Sequence, residues 1–393
     1  MLILEILLGC ALAGWLGLAV LSFWSMSGAP LLQPGDSPEP LPCAPRVSII
    51  VAARDEESVV GAALESFLKL DYPDYEVILV DDDSADRTGE IADDWARRPQ
   101  AAGKLKVIHN RDLPPGWRGK VRALHLAEQA ASGEWLLATD ADVVFHPAIL
   151  RLAMARAMKE DAALVSLFPE IELETTAERI VLPAFTFLLA VIFPLRLVNS
   201  ARSSRAIAAG SFILMRRADF EAMGGYAQLR HVLIEDVRTA EMFKRNGRRI
   251  HAVLTRGLFR TRMYSGWREI WEGLSRSAFE GAGFSLVKVL AALFVGNALA
   301  VLPWIALGFL ALRDSRLGLP LADDAVLLLA LTVCALTVAV FLPYLLFLRA
   351  SPLFAFTLPL ACLFYSGVAI HSAWMSLVGH GVPWKGRRYR PPA

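Results

Sequence analysis

The sequence predicts an α/β domain on a mainly parallel, Rossmann-like sheet, flanked by transmembrane helices at the N- and C-termini. Three observations predict it. Short apolar runs alternate with helical patterns between Val47 and Ser132, as in a parallel sheet covered by helices. Long, nearly uncharged stretches occupy the start of the chain and residues 287–378. Finally, 55% of the 393 residues are hydrophobic and mean hydropathy is +0.44, above the ~45–50% usual for a soluble domain.

Residues 1–26 carry only Glu5 as a charge and exceed the ~20 residues a helix needs to cross hydrocarbon. Leu7-Leu8-Gly9-Cys10 resembles a lipoprotein cleavage box, but no basic segment precedes it, so an uncleaved anchor is expected. Residues 27–45 contain Pro30, Pro34, Pro38, Pro40, Pro42 and Pro45, the composition of an extended linker. Strands are then expected at Val47–Ala52, Val77–Val80, Leu105–Ile108 and Trp135–Ala138. Helices are expected at Glu56–Leu70, Asp86–Arg98 and Lys120–Ser132. In such sheets ligands bind beyond the carboxyl ends of the strands.

The domain is expected to run over 46–285. Within it, 181–198 is apolar but interrupted by Pro183, Pro194 and Arg196, and 267–279 places Trp267, Ile270, Trp271 and Leu274 at helical spacing. Both suit an interfacial position beside a bilayer. The C-terminal 286–378 holds three runs expected to span: Val287–Leu312, Ala325–Leu348 and Leu353–Val378. A basic tail, 379–393, carries Lys385, Arg387, Arg388 and Arg390 and favours the cytosolic side. Three spans after a cytosolic domain would put that tail on the opposite side, so two expectations conflict.

Charge is balanced, 40 Lys+Arg against 39 Asp+Glu, which argues against a nucleic-acid partner. Cys10, Cys43, Cys334 and Cys362 show no CxxC spacing and read as packing residues.

Carboxylates collect where strands end: Asp81-Asp82-Asp83 after Val80, and Asp140-Ala141-Asp142 after the fourth strand. Buried carboxylates need a partner or a metal. Asp140 and Asp142 are two apart, so on an extended segment their side chains leave on the same face, and such an oxygen pair suits a hard cation, Mg²⁺ or Mn²⁺, that also takes phosphate oxygens. Capping of the following helices is the competing use, and the stronger one for Ser84 and Asp86. Glu235-Asp236 opens a further helical stretch and supplies either a cap or a general base.

The ordered set Val47–Glu57, Val80–Ser84, Asp140–Asp142 and Glu235–Asp236 resembles family-2 glycosyltransferases of the GT-A fold. Within them it is most similar to bacterial hopene-associated glycosyltransferases, through Pro115-Gly116-Trp117-Arg118-Gly119-Lys120 and Trp384-Lys385-Gly386-Arg387-Arg388-Tyr389. The resemblance covers about Arg46 to the C-terminus. It implies a nucleotide-sugar donor, a UDP-sugar first, and a lipid acceptor at the membrane. It implies donor contacts at Ala52, Ala53, Glu56, Asp81 and Asp82, with Asp81 on the uracil edge. Asp140 and Asp142 would hold the metal and diphosphate, Asp236 would be the base of an inverting displacement, and Gly225 would lie near the donor sugar. Lys120 either adds charge to the diphosphate or begins a solvated helix. Processive members carry Gln-x-x-Arg-Trp; here Trp267-Arg268-Glu269-Ile270-Trp271 keeps only the last Trp, which favours single transfer. A nucleotidyltransferase and a catalytically degenerate membrane scaffold are the rival readings. The first lacks its Gly-rich loop, since Ala52-Ala53-Arg54-Asp55-Glu56-Glu57 follows the first strand.

Overall fold

A computed structural model describes residues 1–36, 44–317, 324–378, 382–384 and 387–389. Pro38, Pro40, Pro42 and Cys43 of the expected linker, and Lys385, Gly386 and Arg390 of the tail, lie outside the described residues. The chain forms two compact units: Gly28–Glu172 with Leu195–Thr261, and Met1–Ser27 with Leu173–Pro194 and Arg262–Ala393.

In chain order the elements begin with α1 (Leu2–Met26), β1 (Leu31–Leu32), β2 (Val47–Ala53), α2 (Val60–Leu68), β3 (Tyr75–Asp82) and α3 (Thr88–Ala96). Next come β4 (Leu105–Asn110), α4 (Gly119–Ala130), β5 (Trp135–Asp140), β6 (Val144–Phe145), α5 (Ile149–Lys159), β7 (Leu164–Phe168) and β8 (Glu170–Ile171). They continue through α6 (Thr176–Ile192), α7 (Leu195–Val198), β9 (Ile213–Arg216), α8 (Arg217–Ala222), α9 (Gly225–Gln228), α10 (Glu235–Arg245), β10 (Ile250–Thr255) and β11 (Phe259–Thr261). The remainder is α11 (Gly266–Gly281), α12 (Leu286–Ala300), α13 (Leu302–Leu317), α14 (Asp324–Phe347), α15 (Leu358–Leu377), β12 (Val382–Trp384) and β13 (Arg387–Tyr389).

The first unit is an eight-stranded sheet in the order β1-β10-β7-β9-β5-β2-β3-β4. It is parallel throughout except for β9, which runs antiparallel to both β5 and β7. Val47, Ile49, Ile50 and Val51 of β2 and Val77 to Val80 of β3 are buried on both faces, which is why these strands read as unbroken apolar runs instead of alternating ones. Leu64 and Phe67 of α2 and Val121 and Leu124 of α4 bury the helical stripes that cover it. Register aligns Ala53 with Asp81 and Ala52 with Asp140, so the ends of β2, β3 and β5 form one edge. Strand β9 turns the chain back, and the loop before it delivers Gly210 to that edge.

In the second unit, Leu2–Met26, Ala325–Phe347 and Pro352–Leu377 are long and apolar enough to cross a membrane. The run 287–312 departs from expectation: it is not one helix but α12 and α13, separated at Val301. Pro303 lacks the N–H that a continuous helix needs and is tolerated in the first turn of a new one. Helices α11 and α12 meet at 117°. Conversely Thr176–Ile192 stays helical through Pro183. Its start is fixed by a capping box between Thr175 and Glu178, and the fully buried Glu178 also receives Arg262 at 3.0 Å.

Candidate active site

Asp140 is the last residue of β5, and the strand ends there. Asp142 therefore sits in a turn, not on the extended face expected from its spacing, and it opens to solvent. Although the residue reaches solvent, the surrounding protein still thins the hydration of its carboxyl, and the neighbouring Asp140 and Glu56 charges add repulsion, so that carboxyl is pushed up to about 6.

Lys120, in the first turn of α4, lies between two carboxylates: its Nζ is 2.7 Å from Asp140 Oδ1 and 2.6 Å from Glu235 Oε1. Burial disfavours its charge, but the two carboxylates outweigh burial and hold the ammonium well above its ordinary range. It is not a solvated helix start. Glu235 and Asp236 open α10, where the helix dipole favours negative side chains. Asp236 accepts the Val237 N–H at 2.7 Å on Oδ1 and the Gly210 N–H at 3.1 Å on Oδ2. Burial, then the charge of Glu235, push its carboxyl up to about 7 against the pull of Lys120.

Gly210 locates the convergence. A Cβ built there would lie 3.4 Å from Asp236 Oδ2, 3.4 Å from Lys120 Nζ and 3.7 Å from Asp140 Oδ2. Groups encoded at residues 120, 140 and 236 thus face one small space, into which residue 210 projects no side chain.

Asp81 is buried at the end of β3 and Asp82 more deeply still. Asp82 Oδ1 accepts the Asn110 amide at 2.9 Å, which braces β3 against β4. Asp82 thus stands apart from Asp81, whose contacts lie toward His109 of β4, Gly89 of α3 and Ser84. The Glu56 backbone N–H donates to the Thr88 hydroxyl oxygen at 2.7 Å, which joins the loop after β2 to α3.

Gly225 meets Glu128 of α4. Its φ is +57°, and an added Cβ would lie 2.0 Å from Glu128 Oε1. The neighbouring Tyr226 N–H donates to Glu128 Oε2 at 3.1 Å. Gly225→Ala is therefore expected to cost about 1–3 kcal/mol through strain and displacement of Glu128, seen as a lowered Tm of the purified chain.

The carboxylate types were legible in the sequence, but the partnership of Glu235 with Lys120 was not, since 115 positions separate them. Gly210 and Glu128 carry no motif; only folding gives them meaning. His146 Nδ1 accepts the Ala148 N–H within its own turn, and Arg268 pairs with Glu272 at 2.8 Å along α11. Both have local partners.

Among the described residues no three His, Cys, Asp or Glu side chains form a closed metal cage. The oxygen donors Asp140 and Asp142 fit Mg²⁺ or Mn²⁺ only with further oxygen ligands from a phosphorylated substrate.

Residues 7–391 match the family described as Glycosyl transferase family 21. The beta-monoglucosyldiacylglycerol synthase of Trichormus variabilis is 37% identical over 100 residues, 25% of this chain and 20% of that protein. The enzyme of the same name from Synechocystis sp. is 36% identical over 146 residues, 36% of this chain and 29% of that protein. The chain thus matches less than a third of these relatives' length. Among solved structures, the mannosyltransferase PcManGT from Pyrobaculum calidifontis, in complex with GDP-Man and Mn²⁺, superposes with a TM-score of 0.58 at 21% identity, covering 95% of this chain and 99% of that one. The last likeness speaks to the GT-A-type fold.

Proposed function

The chain belongs to glycosyl transferase family 21, and on that premise we propose that it moves one sugar from a nucleotide-sugar donor to a hydroxyl of a membrane lipid, with inversion at the anomeric carbon. One observation carries this reading: Asp236, Lys120 and Asp140 all face the space before Gly210. A carboxylate base, a fixed cation and a phosphate-side carboxylate around one point are what a single displacement needs.

Asp236 takes the proton of the acceptor hydroxyl as that oxygen attacks the anomeric carbon and the bond to the nucleoside diphosphate breaks. The Gly210 and Val237 N–H groups keep its carboxylate oriented. Lys120 adds a buried positive charge where the diphosphate gathers negative charge. Asp140 and Asp142 would hold a divalent cation, which supplies charge neutralisation to the leaving group. Asp81 would receive the nucleobase, with Ala52, Ala53 and Glu56 along its path and Gly225 behind the sugar.

A lipid acceptor is supported by the similarity to beta-monoglucosyldiacylglycerol synthases and by three helices fit to enter a bilayer. A hopanoid acceptor rests on the resemblance of 115–120 and 384–389 alone. The test is the detergent-purified full chain with Mn²⁺, a panel of nucleotide sugars and a membrane lipid extract. The expected product is a lipid heavier by one sugar, with nucleoside diphosphate released. Release of pyrophosphate would point to a nucleotidyltransferase; nucleotide binding without donor consumption would favour the degenerate scaffold.

The broken run at 287–312 bears on orientation. A helix of 15 residues such as α12 reaches about 22 Å, short of the ~30 Å hydrocarbon core. We propose that only α14 and α15 cross after the sheet domain, so domain and tail share the cytosolic side, in accord with Arg387 and Arg388. A reporter fused after Ala393 should be active only in its cytosolic form; periplasmic activity would overturn this topology.

A further inference from the structure

His109 has no part in the reaction above, yet it lies against the carboxylate assigned to the nucleobase. It sits on β4, aligned with Asp81 of β3. Its Nδ1 is 3.1 Å from Asp81 Oδ2, and its Nε2 is 3.1 and 3.2 Å from the two oxygens of Asp93 on α3. Ionised carboxylates only accept hydrogen bonds, so the ring satisfies both partners when both nitrogens carry protons. Asp81, and next Asp93, raise its pKa above the ordinary imidazole value. Glu90, the other acid early in α3, is turned to Arg87 at 3.3 Å.

The approach of α3 depends on residue 89 being glycine. A Cβ there would lie 2.7 Å from Asp81 Oδ2 and 3.2 Å from the His109 ring. Asp81 Oδ1 in turn accepts the Ser84 N–H at 3.3 Å. Both oxygens of this buried carboxylate are therefore already engaged on one lone pair each.

We propose that His109 is a positioning residue that sets the Asp81 carboxylate to accept a single N–H from the donor's base, and so selects uracil over guanine. The inference rests on the nucleotide-sugar reading. The pairing edge of uracil offers one N–H, whereas guanine presents two in parallel and needs both carboxylate oxygens turned to it together. With Oδ2 held by the imidazole and Oδ1 by Ser84, that paired presentation is blocked.

The experiment measures binding of UDP and of GDP, each with Mn²⁺, to the full chain and to His109→Leu and His109→Gln. His109→Leu is expected to weaken UDP about 10-fold, the scale of losing one hydrogen bond to a charged group, and to shrink the UDP-over-GDP preference. His109→Gln, whose amide can still donate to Asp81, should recover most of both. Affinity for UDP in the native chain should fall as pH rises through the imidazole titration, because the neutral ring keeps one N–H for two carboxylates; His109→Gln should lack that step. Wild-type affinities and preference in both variants overturn the role of His109 and leave the nucleotide site standing. A native chain that binds neither nucleotide overturns both. Should His109→Leu fail to fold, a pH profile of His109→Gln parallel to that of the native chain still overturns the inference.

Discussion

Asp236→Asn is expected to lower kcat by about 10²- to 10⁴-fold, the usual contribution of a positioned general base. The amide keeps the shape of the side chain, but its single oxygen can accept from only one of the Gly210 and Val237 N–H groups, so Tm should fall modestly while UDP binding changes little. That separation is the diagnostic feature: a merely structural role would lower both together. The pH profile gives the sign. The base works unprotonated and its carboxyl stands at about 7, so kcat/KM should rise with pH and level off above that point. A bound divalent cation adds positive charge nearby and moves the inflection downward. An inflection clearly above 7, or one unchanged in Asp236→Asn, would remove Asp236 from the base role.

Lys120→Met carries the second large effect. It deletes the cation shared by Asp140 and Glu235 and leaves carboxylates facing one another in a recessed site. Breaking a buried pair from one side costs about 3–5 kcal/mol; partial access to solvent puts the expected loss near the lower figure. Activity should fall further than stability, because the diphosphate loses its fixed counter-charge. Glu235→Gln on top of Lys120→Met should restore part of the Tm, as the second change removes one of the stranded charges. Thermal unfolding of the two single variants and the double variant measures this. Strict additivity would mean that the Lys120–Glu235 contact contributes nothing.

Parts of this molecule are plain in its sequence for definite reasons. Strands β2, β3 and β5 are covered on both faces, so apolar composition alone marks them to within a residue or two. Beyond Ala162 the signal weakens. Strand β9 has only four residues, and its antiparallel place between β5 and β7 is decided by packing at a distance. The acidic groups are visible as residue types at strand and helix ends, but Lys120 is undecided in the sequence because both of its partners are remote. Hydropathy read 287–312 as one span because it counts apolar side chains and is blind to the missing N–H of Pro303. Spacing put Asp140 and Asp142 on one strand face because it had no means to see that β5 stops at Asp140.

The pairing of β1 with β10 has a consequence for biogenesis. Leu31 lies beside Leu254 and Leu32 beside Thr255, so the first strand synthesised waits for the last of its sheet. A contact of such long range forms slowly, because loop closure must precede it. While ribosomes deliver the intervening chain, the open edge of β10's future neighbour β7 and the waiting β1 are exposed to mispairing. Trimming Leu31 and Leu32 would thus be felt in yield from living cells before it was felt in the finished fold.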